Sequence, residues 1–267
     1  MEKNITFDDG ATTTIEMWGN DGPALLCVHG MTSSRKAWTR LASRFTGQYR
    51  VCAYDQRGHG DSASIHGPMT LARGVADLHQ VVETIEGDVA ALIGHSWGGA
   101  LVILAGPDSR AASVAAIDPV LRVLPGTWRR EYLDDAENDF AKPFDELAQD
   151  LRTRLAGWPA IDVEAKLHAV RHMTAEPIAR LGSENRVDDD GWNILRAIAA
   201  YPKPLLVLAA QPSDSVMSEE DIAELRASGG ARVELREYRD HGHNLHRTAF
   251  DRFADDLEDF LSKSGEP

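Results

Sequence analysis

Residues 91–106 read ALIGHSWGGALVILAG. An apolar run that begins just after Asp88 reaches a serine, and the apolar pattern resumes at once with a helical rhythm. The segment 88–96 reads as a buried strand, and Trp97 opens a helix. Gly94 to Gly98 fit G-x-S-x-G. A strand that turns directly into a helix strains the corner residue, and the positions two before and two after it must be very small. The hydroxyl at such a corner stands at the carboxyl end of the sheet, beside a helix N-terminus. Ser96 is therefore either a nucleophile or an ordinary serine capping a helix.

Outward from this corner, short apolar runs alternate with amphipathic segments. TTTIEMW (12–18) has the period-two pattern of a strand. PALLCVHG (23–30), YRVCAYD (49–55), ASVAAIDP (112–119), PKPLLVLAA (202–210) and RVELREY (232–238) are further strands. Helices are expected over 33–45, 71–85, 218–228 and 248–261, the third opened by a capping box at Ser218 and Asp221. Buried strands alternating with helices imply an α/β fold with a mostly parallel central sheet covered on both faces. Residues 121–200 break this rhythm. They carry helical patterns and no clear strand, and read as a helical insertion into a core made of 1–120 and 201–267. Within the returning segment 191–201, Trp192 and Ile194 are expected to pack a helix onto the sheet.

Composition narrows the class. The 267 residues carry a formal net charge of −14 and no basic block. Nucleic acid and anionic membrane are poor partners for such a surface. The N-terminus lacks the apolar stretch of a signal peptide, and no run is long enough to span a bilayer. Cys27 and Cys52 sit in apolar strands and read as buried, reduced fillers. A cytoplasmic protein that needs no cofactor is expected, acting on a small molecule, with a homodimer as one arrangement. His168 and His172 have the i, i+4 spacing of a metal pair. With no H-E-x-x-H and no third ligand in sight, the reading is no metal.

A serine needs a base and the base needs an orienting acid. DHGHNLHR (240–247), between the last strand and the last helix, supplies His243. The loop after PLLVLAA supplies Asp214. Ser96, Asp214, His243 is the chain order of an α/β-hydrolase triad.

The sequence resembles the α/β-hydrolase fold family, and within it the cap-bearing esterase and C–C hydrolase-like branch. The resemblance is carried by HGMTSS (29–34), DQRGHGDS (55–62), GHSWGG (94–99), IDP (117–119), SDSVMSEED (213–221) and GHNLHR (242–247). It implies a helical cap inserted after the sixth strand, and an oxyanion hole built from the amides of Met31 and Trp97. Asp118 occupies the family's alternative acid position, and reads here as a strand-end residue before Pro119. His29 and His95 are expected to brace the turns they flank. Trp128 and Trp158 are candidate substrate contacts, with a small core within the cap as the competing role. The implied reaction is hydrolysis of small to medium carboxylic esters or lactones through an acyl-enzyme on Ser96. The alternatives are hydrolysis of a carbon–carbon bond in a diketone acid, for which Arg57, Arg122, Arg129 and Arg130 are candidate anion partners, and a ligand receptor with slow or single turnover.

Overall fold

The computed structural model describes residues 1–62, 66–126, 130–187 and 189–264. Its centre is an eight-stranded sheet in the order β1-β2-β4-β3-β5-β6-β9-β10. The strands are β1 (Glu2–Thr6), β2 (Thr12–Trp18), β3 (Ala24–Val28), β4 (Arg50–Tyr54), β5 (Val89–His95), β6 (Ser113–Ile117), β9 (Leu205–Ala210) and β10 (Val233–Tyr238). From β4 to β10 every pairing is parallel, and only β2 runs against its neighbours. Two elements lie outside this sheet: β7 (Arg122–Val123) and β8 (Trp192–Asn193) form an antiparallel ribbon.

Three of these strands escape a reading by periodicity. β1 is polar, with only Ile5 buried, and is held as an edge by its register with β2. The β7/β8 ribbon has two residues in each strand, too few to show any period. Trp192, expected to pack a helix onto the sheet, thus lies in the ribbon, and Ile194 directly follows it; the helix that comes next, α8, is Leu195–Ile198.

The core sits on both faces because side chains alternate along each strand. Leu26, Leu92 and Val207 point into one cluster with Leu78 of α2 (Leu71–Glu83) and Val102 of α3 (Trp97–Ala105). Their neighbours Leu25, Ile93 and Leu206 point the other way. They meet Leu41 of α1 (Thr39–Phe45) and Phe253 and Leu257 of α11 (Phe250–Ser264). Between β6 and β9 the chain leaves the sheet for α4 (Arg130–Phe140), α5 (Phe144–Arg154), α6 (Ala160–Val170) and α7 (Glu176–Glu184). Helices α5 and α6 share a small cluster of their own, with Leu147, Leu151 and Leu167. After β9 come α9 (Glu219–Ser228), opened by the expected capping box, and β10; after β10 comes the short α10 (Leu245–Thr248).

One buried cation ties the sheet edge to the first loops. Arg35 is 1% exposed, yet its guanidinium pairs with Asp55, with Glu2 at 2.9 Å and with Asp61 at 2.7 Å. The Asp55 carboxylate also accepts from the amides of Arg35 (2.7 Å) and Asp61 (3.0 Å). Removing one member of a buried pair strands the other charge, at a cost of about 3–5 kcal/mol. Arg35→Met is therefore expected to lose about that much stability in urea unfolding, and the double variant Arg35→Met/Asp55→Asn to recover part of it.

Candidate active site

Ser96 occupies the corner between β5 and α3 at φ 56° and ψ −119°. That is the left-handed region, which costs a side-chain-bearing residue about 1–3 kcal/mol and persists only where the surroundings impose it. The surroundings here are backbone. A Cβ on Gly94 would meet the carbonyl of Gly98, and one on Gly98 would meet the carbonyls of Val28 and His29. One on Gly99 would lie 2.8 Å from Pro119. The Ser96 amide donates to Ile117 at 2.9 Å, and its carbonyl accepts from Ala100 and Val120. Ser96 heads α3, but its side chain makes no capping hydrogen bond, so the hydroxyl is not engaged as a helix cap.

His243 lies in the loop between β10 and α10. Its Nδ1 donates to Asp118 Oδ2 at 2.6 Å. Asp118 is fully buried and accepts three more hydrogen bonds. These come from the Ala210 amide at 3.1 Å, the Ser215 hydroxyl at 2.6 Å and the Val216 amide at 3.2 Å. With Nδ1 taken, Nε2 is the nitrogen of His243 left for proton transfer. Among the described residues, no hydrogen bond joins Ser96 to His243, a looseness common in unliganded sites.

The partner of His243 is thus Asp118, where the sequence points to Asp214. Asp214 ends a 3-10 turn, Pro212–Asp214, and is exposed; its carboxylate packs against Gly242, where a Cβ would collide with it. The difference lies in the backbone. Asp118 turns at φ 41° just past β6, with its amide bound to Leu208, and the chain after β9 wraps its carboxylate with residues 215 and 216. The residues after Asp214 therefore serve Asp118. The sequence signal was the IDP triplet itself, an acid at a strand end next to the serine's strand.

Met31, in the turn after β3, and Trp97, the first residue of α3, flank the serine. A Cβ on Gly30 would lie 2.9 Å from the Cβ of Ser96, so the HGMT turn runs in contact with the corner. His29 Nε2 accepts from the Gln56 amide at 3.0 Å, which fixes the ring with its proton on Nδ1, donated to the Gly30 carbonyl at 2.8 Å. In a planar trans peptide the N–H lies opposite the C=O. With the Gly30 carbonyl held to His29, the Met31 amide faces away from that ring. Trp97 is buried, and its ring stacks on Trp192 at 5.3 Å between centroids. Trp192 thus supports the serine corner.

The remaining candidates separate. Trp158 lies just before α6 and outside the α5/α6 cluster; the Arg247 guanidinium sits 4.5 Å over its ring. Trp128 and Arg129 lie outside the described residues, as does the side chain of Arg130. Arg57 is already paired with Asp9 and Asp77, and Arg122 with Glu220, Asp221 and Glu224. His168 and His172 do not converge: His172 is exposed, and His168 stands 3.8 Å from Asp61. His168, Asp55 and Asp61 bring ligand-type atoms within 4.8 Å of one another, but Arg35 already supplies the positive charge to both carboxylates.

Comparison with known proteins follows this geometry. The family model described as the alpha/beta hydrolase family matches residues 25–256. Lipase LipV of Mycobacterium tuberculosis (strain ATCC 25618 / H37Rv) is 29% identical over 253 residues, covering 86% of this chain and 90% of the lipase. Among solved structures, the N-formylmaleamic acid deformylase Nfo from Pseudomonas putida S16 superposes with a TM-score of 0.78 at 18% identity, covering 97% of this chain and 100% of that one. A protein described as a putative aryl esterase from Burkholderia cenocepacia superposes with a TM-score of 0.76 at 21% identity and 99% coverage of both chains. At these identities the superpositions speak for the fold alone.

Four histidines around the site are buried and kept neutral by desolvation. His29 is lowered to about 4 and His59 to about 3, and His95 and His246 fall well below the usual value. A lowered histidine pKa favours the folded state fully above the unfolded value of about 6.5. That contribution is lost as pH falls toward the folded values. Asp55 and Asp162, raised by burial, act in the opposite sense, two groups against four. The melting temperature is expected to fall between pH 6.5 and 4.5, as thermal unfolding over that range will show.

Proposed function

The chain belongs to the alpha/beta hydrolase family, and on that premise we propose that Ser96 is its nucleophile, His243 its general base and Asp118 the carboxylate that orients the histidine. The substrates proposed are small to medium carboxylic esters or lactones. The observation that carries this reading is the contact between His243 and a fully buried Asp118 holding three further hydrogen bonds, beside a serine whose hydroxyl caps nothing.

His243 Nε2 takes the proton from Ser96 Oγ as the oxygen attacks the ester carbonyl carbon. The carbonyl oxygen becomes an oxyanion and accepts from the Met31 and Trp97 amides, each worth roughly 2.7–4 kcal/mol in such a role. The tetrahedral intermediate collapses by breaking the bond to the alkoxy oxygen, which receives the proton from His243. Water then gives a proton to His243 and its oxygen to the acyl carbon. The bond to Ser96 breaks, the proton returns to Oγ, and the carboxylic acid leaves. Asp118 keeps the proton of the resting imidazole on Nδ1 and stabilises the imidazolium that forms twice in each cycle. The helices inserted between β6 and β9 serve in this reading as the cap.

Turnover of a nitrophenyl ester series tests the assignment. Ser96→Ala and His243→Ala are each expected to lose at least about 10⁴-fold in kcat. Asp118→Asn is expected to lose about 10³–10⁴-fold, and Asp214→Asn less than about tenfold. The reverse order of the two aspartate variants would return the acid role to Asp214. Failure of a fluorophosphonate to label Ser96 would remove the serine from the mechanism.

A further inference from the structure

Arg247 is buried and Lys166 half-buried where helix α6 meets the turn that follows Met31. Lys166 Nζ donates to the Thr32 carbonyl at 2.7 Å and the Thr32 hydroxyl at 2.8 Å. Arg247, 4% exposed, donates to the Ser33 hydroxyl at 3.3 Å, the Asp162 carbonyl at 3.4 Å and His246 Nε2 at 3.2 Å. All five acceptors are neutral. Among the described residues, no carboxylate oxygen lies within ion-pair distance of either cation.

This is anomalous in a chain with 42 acidic and 28 basic side chains. Buried cations are ordinarily paired, because desolvation penalises an unpaired charge heavily. Arg35 and Arg57 obey that rule with two or more carboxylates each. Two acids lie near enough to offset the cations in part without closing an ion pair, Asp162 on Arg247 and Asp139 on Lys166, while Arg40 and Arg154 add further positive charge; of these acids Asp162 is the one in the α6 segment that contacts Arg247. Asp162 lies 3.6 Å from Arg40, and its carboxylate is itself raised by burial. Desolvation lowers Lys166 to about 7 and Arg247 to about 10, and each cation depresses its surroundings further: Arg247 acts on Lys166, His29 and His95. The junction therefore holds a surplus of positive charge.

Its place matters. Thr32 and Ser33 directly follow Met31, and Gly30 touches Ser96. The two cations thus bracket the turn that carries the proposed oxyanion amide, a few ångströms of chain from the reacting carbonyl. The Arg247 guanidinium also sits over the Trp158 ring, which gives the same spot an apolar wall.

We propose that Lys166 and Arg247 form the binding site for a carboxylate on the substrate, so that the natural substrates are acidic esters, with a free carboxylate a few bonds from the ester carbonyl. An incoming carboxylate supplies the contact ion pair that neither cation has, and Arg247 can hold it through two parallel N–H donors. Both residues are positioning residues for substrate, and the inference rests on the serine-hydrolase reading above.

The test compares 4-nitrophenyl hydrogen glutarate with neutral 4-nitrophenyl pentanoate, which matches it in acyl length. The wild type is expected to show the higher kcat/KM on the acidic ester. Arg247→Gln and Lys166→Met are each expected to lower the ratio of acidic to neutral kcat/KM by about tenfold or more, mainly through KM. Unchanged ratios in both variants overturn the proposal, as does a wild type that favours the neutral ester. Glutarate binding by calorimetry to the Ser96→Ala protein reads the site with chemistry switched off. Binding that disappears in Ser96→Ala/Lys166→Met supports the anion site, and absence of binding to Ser96→Ala overturns it. Failure of the wild type to turn over either ester, with glutarate still bound, would instead count against the hydrolase reading and leave the anion site standing.

Discussion

A strand that becomes a helix with no loop between them has no room for side chains on the flanking turns. Everything at this site depends on that crowding. Gly94 and Gly98 pass each other at backbone contact, Gly98 lies against the carbonyls of Val28 and His29, and Gly99 lies against Pro119. The close approach locks β3, β5, α3 and the start of the segment after β6 into one unit. It also holds Ser96 at a positive φ that a free chain would abandon. The strain is offset by the burial of two strands with scarcely an exposed atom between them: Leu25, Leu26, Leu92 and Ile93 are all fully buried.

Around that fixed point the polar groups are arranged by desolvation. His29 and His95 flank the two turns at the serine, and both are held neutral because the charged ring would have no water. A neutral imidazole carries one donor and one acceptor nitrogen, so the partner at one nitrogen dictates the role of the other. His29 uses both, joining the Gln56 amide to the Gly30 carbonyl, and so orients the Met31 peptide. His95 spends its Nε2 on the carbonyl of His243, at 2.9 Å, and packs its ring at a tilt against both His243 and His246. The loop carrying the proposed base is therefore anchored to the strand carrying the proposed nucleophile. The histidines that brace the site are the groups whose protonation would loosen it.

The helices inserted between β6 and β9 contribute contacts of a different kind. Their own core is small, and α6 reaches the sheet domain through Lys166, Asp162 and the stacked Trp158 and Arg247. Polar contacts with neutral acceptors bind less firmly than the apolar packing beneath the sheet. A junction of that kind leaves charge available to a ligand, and an anion there would draw α6 and the 32–33 turn together.

Much of this was legible in the chain. Strand and helix periods are local, and so is the G-x-S-x-G corner, whose glycines are demanded by a steric conflict within five residues. Placing His243 in the last loop follows from chain order, and the capping box of α9 from four adjacent residues. What the sequence could not determine was the choice between two acids that both end a strand beside the histidine loop. That choice depends on a positive φ at Asp118, on three donors arriving from β9 and the residues after it, and on a proline-led turn that sends Asp214 outward. Likewise, no local pattern marks Lys166 or Arg247, one an ordinary lysine on a helix and the other an arginine beside a histidine. They become an unpaired pair of cations only when α6 folds back over residues 32 and 33, because burial and counter-charge are properties of what surrounds a residue in space, and the chain segments that supply those surroundings lie more than a hundred residues apart.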